Sequence, residues 1–143
     1  MSDSIRVIFV DDDPFLLQAQ RRMLWSVKEW ESEFVDSGEK ALAKMAQQPF
    51  DAIVSDMRMP IMDGLQLLTE VQQLYPRTVR IVLSGQAEQE NEIRAFGPAQ
   101  RYLSKPCESA ELIAVINRSI ALQRSLPHDA FDALLQDLSL IHI

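Results

Sequence analysis

Five times along the chain a short run suited to a β-strand passes into polar residues and then into a stretch with helical spacing. The runs are Ile5 to Val10, a weakly marked one at Glu33 to Val35, Ala52 to Ser55, Val79 to Leu83, and Gln100 to Leu103. A strand that is apolar at nearly every position has no face to offer water, so it must be covered on both sides. Helices between such strands supply the cover, and each strand–helix–strand crossover is right-handed. The pattern therefore predicts an α/β fold, a doubly wound five-stranded parallel sheet. A chain of 143 residues has room for one such domain, over 4–124, and a short appendage over 125–143.

Local signals place the helices. After Asp11, Asp12 and Asp13, Pro14 suits a first helical position and Asp13 an N-cap, with Leu16, Ala19, Met23 and Val27 as the expected buried face. Ser37 and Gly38 open a second helix that buries Ala41, Leu42, Met45 and Ala46 and is stopped by Pro49. Asp63 and Gly64 open a third, with Leu65, Leu68, Val71 and Tyr75 on one side and Pro76 at its end. The fourth, Gln86 to Phe96, has chiefly Ile93 and Phe96 to bury and is expected to be weakly held. The last, Ser109 to Leu122, presents Leu112, Ile113, Ile116 and Ile120. Beyond Pro127, Asp129 can cap an amphipathic segment carrying Phe131, Leu134, Leu135 and Leu138, which reads as a linker or a C-terminal helix. The apolar ending Leu140 to Ile143 fits either a chain cut before an output domain or an added tail.

A net charge of -7 argues against nucleic acid as a partner of this domain, because phosphate binding needs a basic face. The single cysteine, Cys107, excludes an internal disulfide and fits a reducing compartment. With neither a leader nor a long apolar run, a cytoplasmic domain without a membrane contact is expected.

In a parallel sheet the carboxyl ends of the strands meet along one rim, where ligands bind. Here four of those ends carry reactive groups: Asp11 and Asp12, Asp56, Ser84 and Lys105. Three neighbouring carboxylates repel unless a cation compensates them. Mg²⁺ suits best, since it takes oxygen ligands, is held by one or two carboxylates and accepts a phosphoryl oxygen. An ammonium and a hydroxyl are what the remaining phosphoryl oxygens need, and a carboxylate can be the nucleophile. The chemistry converges on phosphoryl transfer to Asp56. Asp13, Asp51 and Asp63 read instead as caps or solvated acids.

From about Ile5 to Arg124 the chain resembles the receiver domain of bacterial two-component response regulators. The resemblance rests on VDDDP at Val10 to Pro14, SDMRMPIMDG at Ser55 to Gly64, VLSG at Val82 to Gly85 and YLSKP at Tyr102 to Pro106, in order at strand ends. It implies a flavodoxin-like three-layer sandwich with strand order 2-1-3-4-5, and a phosphoacceptor switch rather than an enzyme with an external substrate. Asp56 would be phosphorylated by a histidine kinase or phosphotransfer protein. Asp12, Asp56 and the Arg58 backbone carbonyl would ligate Mg²⁺, with Asp11 acting mainly through a water. Lys105 would pair with the phosphoryl group, and the Lys105–Pro106 bond would be cis. Ser84 and Tyr102 match the family's switch pair, while Arg58 and Gln86 occupy positions that tune the phosphoryl lifetime. The face from helix 86–96 through Tyr102 to the last helix would signal to an output domain, with a homodimer on phosphorylation as one mode. The wording of the motifs resembles receivers joined to HD-type outputs.

Two rival chemistries and one rival mode use parts of the same pattern. A phosphohydrolase of the haloacid dehalogenase type also has acids after a first strand, yet no Gly-Thr or Gly-Val follows Asp13 and no acidic pair follows Lys105 within the domain. A flavin binder of the same topology needs Gly, Ser and Thr after that strand, where this chain has three acids that repel phosphate. A receiver acting without phosphorylation would have no use for the complete acid, hydroxyl and lysine set.

Overall fold

The computed structural model describes residues 4–84, 99–105 and 108–125. The apolar runs form β1 (Ile5–Val10), β2 (Trp30–Val35), β3 (Ala52–Asp56), β4 (Val79–Ser84) and β5 (Arg101–Ser104). They make one parallel sheet in the order β2-β1-β3-β4-β5, as the resemblance implied. Between and after them lie α1 (Pro14–Leu24), α2 (Gly38–Gln47), α3 (Gly64–Leu74) and α4 (Ser109–Ser125). Gln86 to Phe96, Pro106, Cys107 and the segment after Ser125 lie outside the described residues.

The sheet separates two apolar layers. Phe9, Val54 and Ile81 pack with Leu24 of α1 and with Leu112, Val115, Ile116 and Ile120 of α4. On the other side Ile8, Ile53 and Val82 meet Ala41 and Met45 of α2 and Leu67, Leu68 and Val71 of α3. Alternate residues of each strand thus enter opposite layers, which is why the runs carry no polar phase. Arg80 is the exception within β4: only 1% exposed, it donates from one guanidinium nitrogen to the carbonyls of Pro76 and Thr78 at 3.2 and 3.1 Å.

Three local readings change. The inward face of α1 ends on buried Leu24, while Leu16, Ala19 and Met23 face water. Leucines at both 16 and 17 offer two stripes one residue apart, and the one through Leu17 and Leu24 lies towards the sheet; Asp13 caps the helix, accepting from the amides of Phe15 and Leu16. β2 starts at Trp30, three residues before the reading, because an edge strand tolerates the polar Glu31, Ser32 and Glu33. Trp30 therefore belongs to a strand, where its indole N–H donates to Asn117 Oδ1 at 3.0 Å. In α2 and α3 the expected faces hold in the main, except that Ala46 is exposed and Leu67 is buried.

Candidate functional site

Strand register builds the site. Val10 of β1 pairs with Ser55 of β3, so the next residues, Asp11 and Asp56, leave the sheet side by side. One carboxylate oxygen from each of Asp11, Asp12 and Asp56 lies within 4.8 Å of the others. β4 and β5 complete the rim. Ser84 pairs with Ser104, and the Lys105 amide donates to the Ser84 carbonyl at 2.8 Å, which points the lysine back over the acids. Its ammonium is 2.6 Å from Asp56 Oδ1 and 3.6 Å from Asp11 Oδ2.

The three acids differ in surroundings. Asp12 is exposed and Asp56 half-buried, whereas Asp11 is only 2% exposed. Asp11 Oδ1 accepts from the Asp13 amide at 2.9 Å, but Oδ2 has no hydrogen-bond partner among the described residues. Burial raises the Asp11 carboxyl above its usual 3.8, against the lowering effect of the Asp13 amide, and the charge on Asp56 adds to the rise. For Lys105 burial pulls downward, yet the hydrogen bond and charge of Asp56, helped by Asp11, outweigh it and hold the ammonium above 10.5. One ammonium among three carboxylates leaves an excess of negative charge at a spot with an unsatisfied buried oxygen. That is the donor set a hard divalent cation takes, so the residues present fit Mg²⁺.

The loop after β3 holds Asp56 from behind. Met57 N–H donates to the Leu83 carbonyl at 3.0 Å, and Gly64 N–H donates to the Met57 carbonyl at 2.9 Å. This brings Gly64 so close that a Cβ there would stand 2.3 Å from the Asp56 carbonyl oxygen. Asp63 starts α3 with a capping box, its carboxylate accepting from Gln66 N–H at 2.8 Å while Gln66 Oε1 accepts from Asp63 N–H at 2.9 Å. Between them Pro60, Ile61 and Met62 make a three-residue turn, with Ile61 at φ 70°. Neither Gly64's close approach nor Ile61's backbone was read from the sequence. Gly64 looked like a helix start, and a β-branched residue gives no sign of a left-handed φ.

Ser84 is 2% exposed at the rim end of β4. Tyr102 pairs with Val82 and packs, half-buried, against the α2–α3 layer. Arg58 is exposed and lines an open cleft of about 490 Å³ with Met57, Met59, Pro60 and Asp63. Gln86 and Pro106 lie outside the described residues.

Fold and rim together define a class: flavodoxin-like domains with an acidic, lysine-capped pocket in place of a phosphate loop. Comparison with known proteins makes the class specific. Residues 7–117 match the model of the response regulator receiver domain. The hydrogenase transcriptional regulatory protein HoxA of Cupriavidus necator is 34% identical over 126 residues, 86% of this chain and 26% of its own length. The DNA-binding transcriptional regulator NtrC of Salmonella typhimurium is 32% identical over 78% of this chain and 24% of its own. The crystal structure of the signal receiver domain of an HD domain-containing protein from Pseudomonas fluorescens aligns with TM-score 0.77 and 30% identity, over 86% of this chain and 99% of that one. A CheY-like receiver from Methanospirillum hungatei gives TM-score 0.77 at 27% identity, over 86% and 98%. The chain belongs to the response regulator receiver family, a family of two-component signalling domains. It spans about a quarter of the length of these curated relatives.

Proposed function

We propose that Asp56 is the phosphoacceptor of this receiver, taking a phosphoryl group from the phosphohistidine of a histidine kinase or phosphotransfer protein. The observation that carries the reading is the 2.6 Å contact of Lys105 with Asp56 inside the three-acid cluster. A carboxylate oxygen of Asp56 attacks phosphorus as the phosphorus–nitrogen bond breaks, and the departing imidazole nitrogen takes up a proton. Lys105 orients the nucleophile beforehand and afterwards compensates charge on the phosphoryl oxygens. Asp11, Asp12 and Asp56, with the Arg58 carbonyl, would hold Mg²⁺, which when bound supplies the positive charge that an acidic pocket needs before it can accept an anion. Ser84, at the end of β4, supplies a hydroxyl to the phosphoryl group, and Tyr102 on the neighbouring strand responds to its movement. Arg58 and Gln86 tune the lifetime of the acyl phosphate.

Residues 4–124 form the receiver proper and 125–143 a linker or C-terminal helical tail, and the face from residues 86–96 through β5 to α4 signals to an output domain or partner. The relatives that are transcriptional regulators, and the receiver of an HD domain-containing protein, support an output domain without choosing its type. No helix of the described residues is long and apolar enough to cross a membrane, which accords with a cytoplasmic setting.

Intact mass after incubation with a small phosphodonor and Mg²⁺ tests the proposal. The expected result is one phosphoryl adduct, absent from Asp56→Asn and from a chelated control. An adduct that persists in Asp56→Asn would move the acceptor elsewhere, and no adduct on folded wild type would favour a receiver that works without phosphorylation.

A further inference from the structure

Just below the rim, one hydroxyl stands in a row of apolar side chains. Across the five strands Val35, Val10, Ser55, Val82 and Tyr102 are register partners in turn. The other four belong to the layer of α2 and α3, and so does Ile53, two residues before Ser55 on the same strand, so Ser55 faces that layer as well. A valine in this position would bury more apolar surface. Ser55 is instead a fully buried hydroxyl, which is costly unless it is hydrogen-bonded. Its bond goes to the next residue: the hydroxyl donates to the carbonyl oxygen of Asp56 at 2.9 Å.

That oxygen belongs to the peptide that joins Asp56 to Met57. β3 pairs with β4 as far as Asp56, but with β1 only as far as Ser55, so the ladder holds Asp56 on one side alone. The β4 side is secured further by the Met57 N–H, which donates to the Leu83 carbonyl at 3.0 Å. The Ser55 hydroxyl secures the carbonyl at the other end of the same peptide plane. The oxygen is also packed against Gly64, where a Cβ would stand 2.3 Å from it. A peptide unit is rigid, so fixing its N–H and its C=O fixes the whole plane. We propose that Ser55 is a positioning residue for phosphorylation of Asp56. By setting the plane that leaves Asp56, it keeps the carboxylate where Oδ1 meets the Lys105 ammonium at 2.6 Å and where the oxygens of Asp11 and Asp12 lie within 4.8 Å. The buried hydroxyl does not touch the reacting atoms and acts through the Asp56 backbone. This rests on Asp56 being the acceptor and adds a residue that orients it.

Threonine and valine share a shape and differ by a hydroxyl for a methyl, so Ser55→Thr against Ser55→Val isolates the hydrogen bond. Ser55→Ala removes the bond without adding volume. The rate of adduct formation, read by intact mass at increasing acetyl phosphate in saturating Mg²⁺, is compared with wild type and Asp56→Asn. The maximal rate should be about tenfold lower in Ser55→Val than in Ser55→Thr, and lower by a similar factor in Ser55→Ala than in wild type. The half-saturating donor concentration should stay unchanged, because the hydroxyl orients the nucleophile and does not touch the donor. With an adduct that depends on Asp56, equal maximal rates in the valine and threonine variants would overturn the proposal, as would Ser55→Ala as fast as wild type or a loss confined to half-saturation. An adduct that survives Asp56→Asn, or none on wild type, would instead refute the acceptor reading and this inference with it.

Discussion

Replacing Asp11 with asparagine should stabilise the protein when divalent cations are absent and remove most of the stabilisation that Mg²⁺ brings. Asp11 Oδ2 lies 3.6 Å from the Lys105 ammonium, an attraction of about 4.6 kcal/mol at an effective dielectric near 20. Its carboxylate is within 4.8 Å of that of Asp56, a repulsion of at least about 3.5 kcal/mol on the same scale. The two nearly cancel. What remains is the repulsion from exposed Asp12, below about 1 kcal/mol after solvent screening, and the desolvation of a carboxylate that is 3% exposed. Desolvation costs several kcal/mol per buried ion. An asparagine keeps the Oδ1 that accepts from Asp13 N–H and sheds the charge. The expected gain is about 1–2 kcal/mol, or about 3–7 °C in Tm for a chain of this size. Thermal unfolding by circular dichroism, in EDTA and in millimolar Mg²⁺, measures both effects. The sign with pH follows from the raised Asp11 pKa. Its contribution to stability is complete below the ordinary 3.8 and is lost as pH rises through the folded value, so the advantage of the variant should shrink in acid. A variant less stable than wild type in EDTA at neutral pH, or one that Mg²⁺ stabilises equally, would refute the reasoning.

Gly64→Ala sets a Cβ 2.3 Å from a backbone oxygen that no rotamer can move, so it should cost about 2–3 kcal/mol and shift Asp56. Denaturant unfolding would show the first effect and a slower phosphorylation rate the second. Ile61→Gly, by contrast, should raise stability by about 0.5–1 kcal/mol, because relief of a left-handed φ in a β-branched residue exceeds the entropy glycine adds to the unfolded chain. A lower urea midpoint would contradict that. Arg58→Ala should alter the decay of the acyl phosphate more than its formation, since the side chain is exposed beside the rim and makes no ion pair among the described residues. Following loss of the adduct mass with time measures this, and unchanged decay would exclude the role.

What was legible in the sequence follows from how each signal arises. The runs at Ile5, Ala52 and Val79 announced strands because a sheet covered on both faces leaves no polar phase to confuse with a helix. β2 was half-hidden, because an edge strand with Glu31 paired to Arg6 at 3.0 Å looks like a polar loop. The face of α1 is misplaced by one residue, because Leu16 and Leu17 offer two neighbouring stripes and only packing against the sheet, where Leu24 is buried, separates them. Arg80 is invisible to any hydrophobic pattern; it is received by the carbonyls of Pro76 and Thr78 in the turn just before β4, and a hydrophobic pattern carries no sign of a carbonyl turned towards a side chain. The site was legible for a different reason. In a parallel sheet, residues that end paired strands are neighbours whatever the sequence distance between them, so Asp11 and Asp56 needed only β1 and β3 to be adjacent. Periodicity cannot supply that adjacency. It came from the family resemblance, and once it is granted the Val10–Ser55 pairing fixes the acids side by side and the Ser84–Ser104 pairing brings Lys105 over them. The chemistry of the rim is thus a property of strand order, and a substitution that leaves every rim residue intact but moves β1 against β3 by one pair would separate the carboxylates and abolish the pocket.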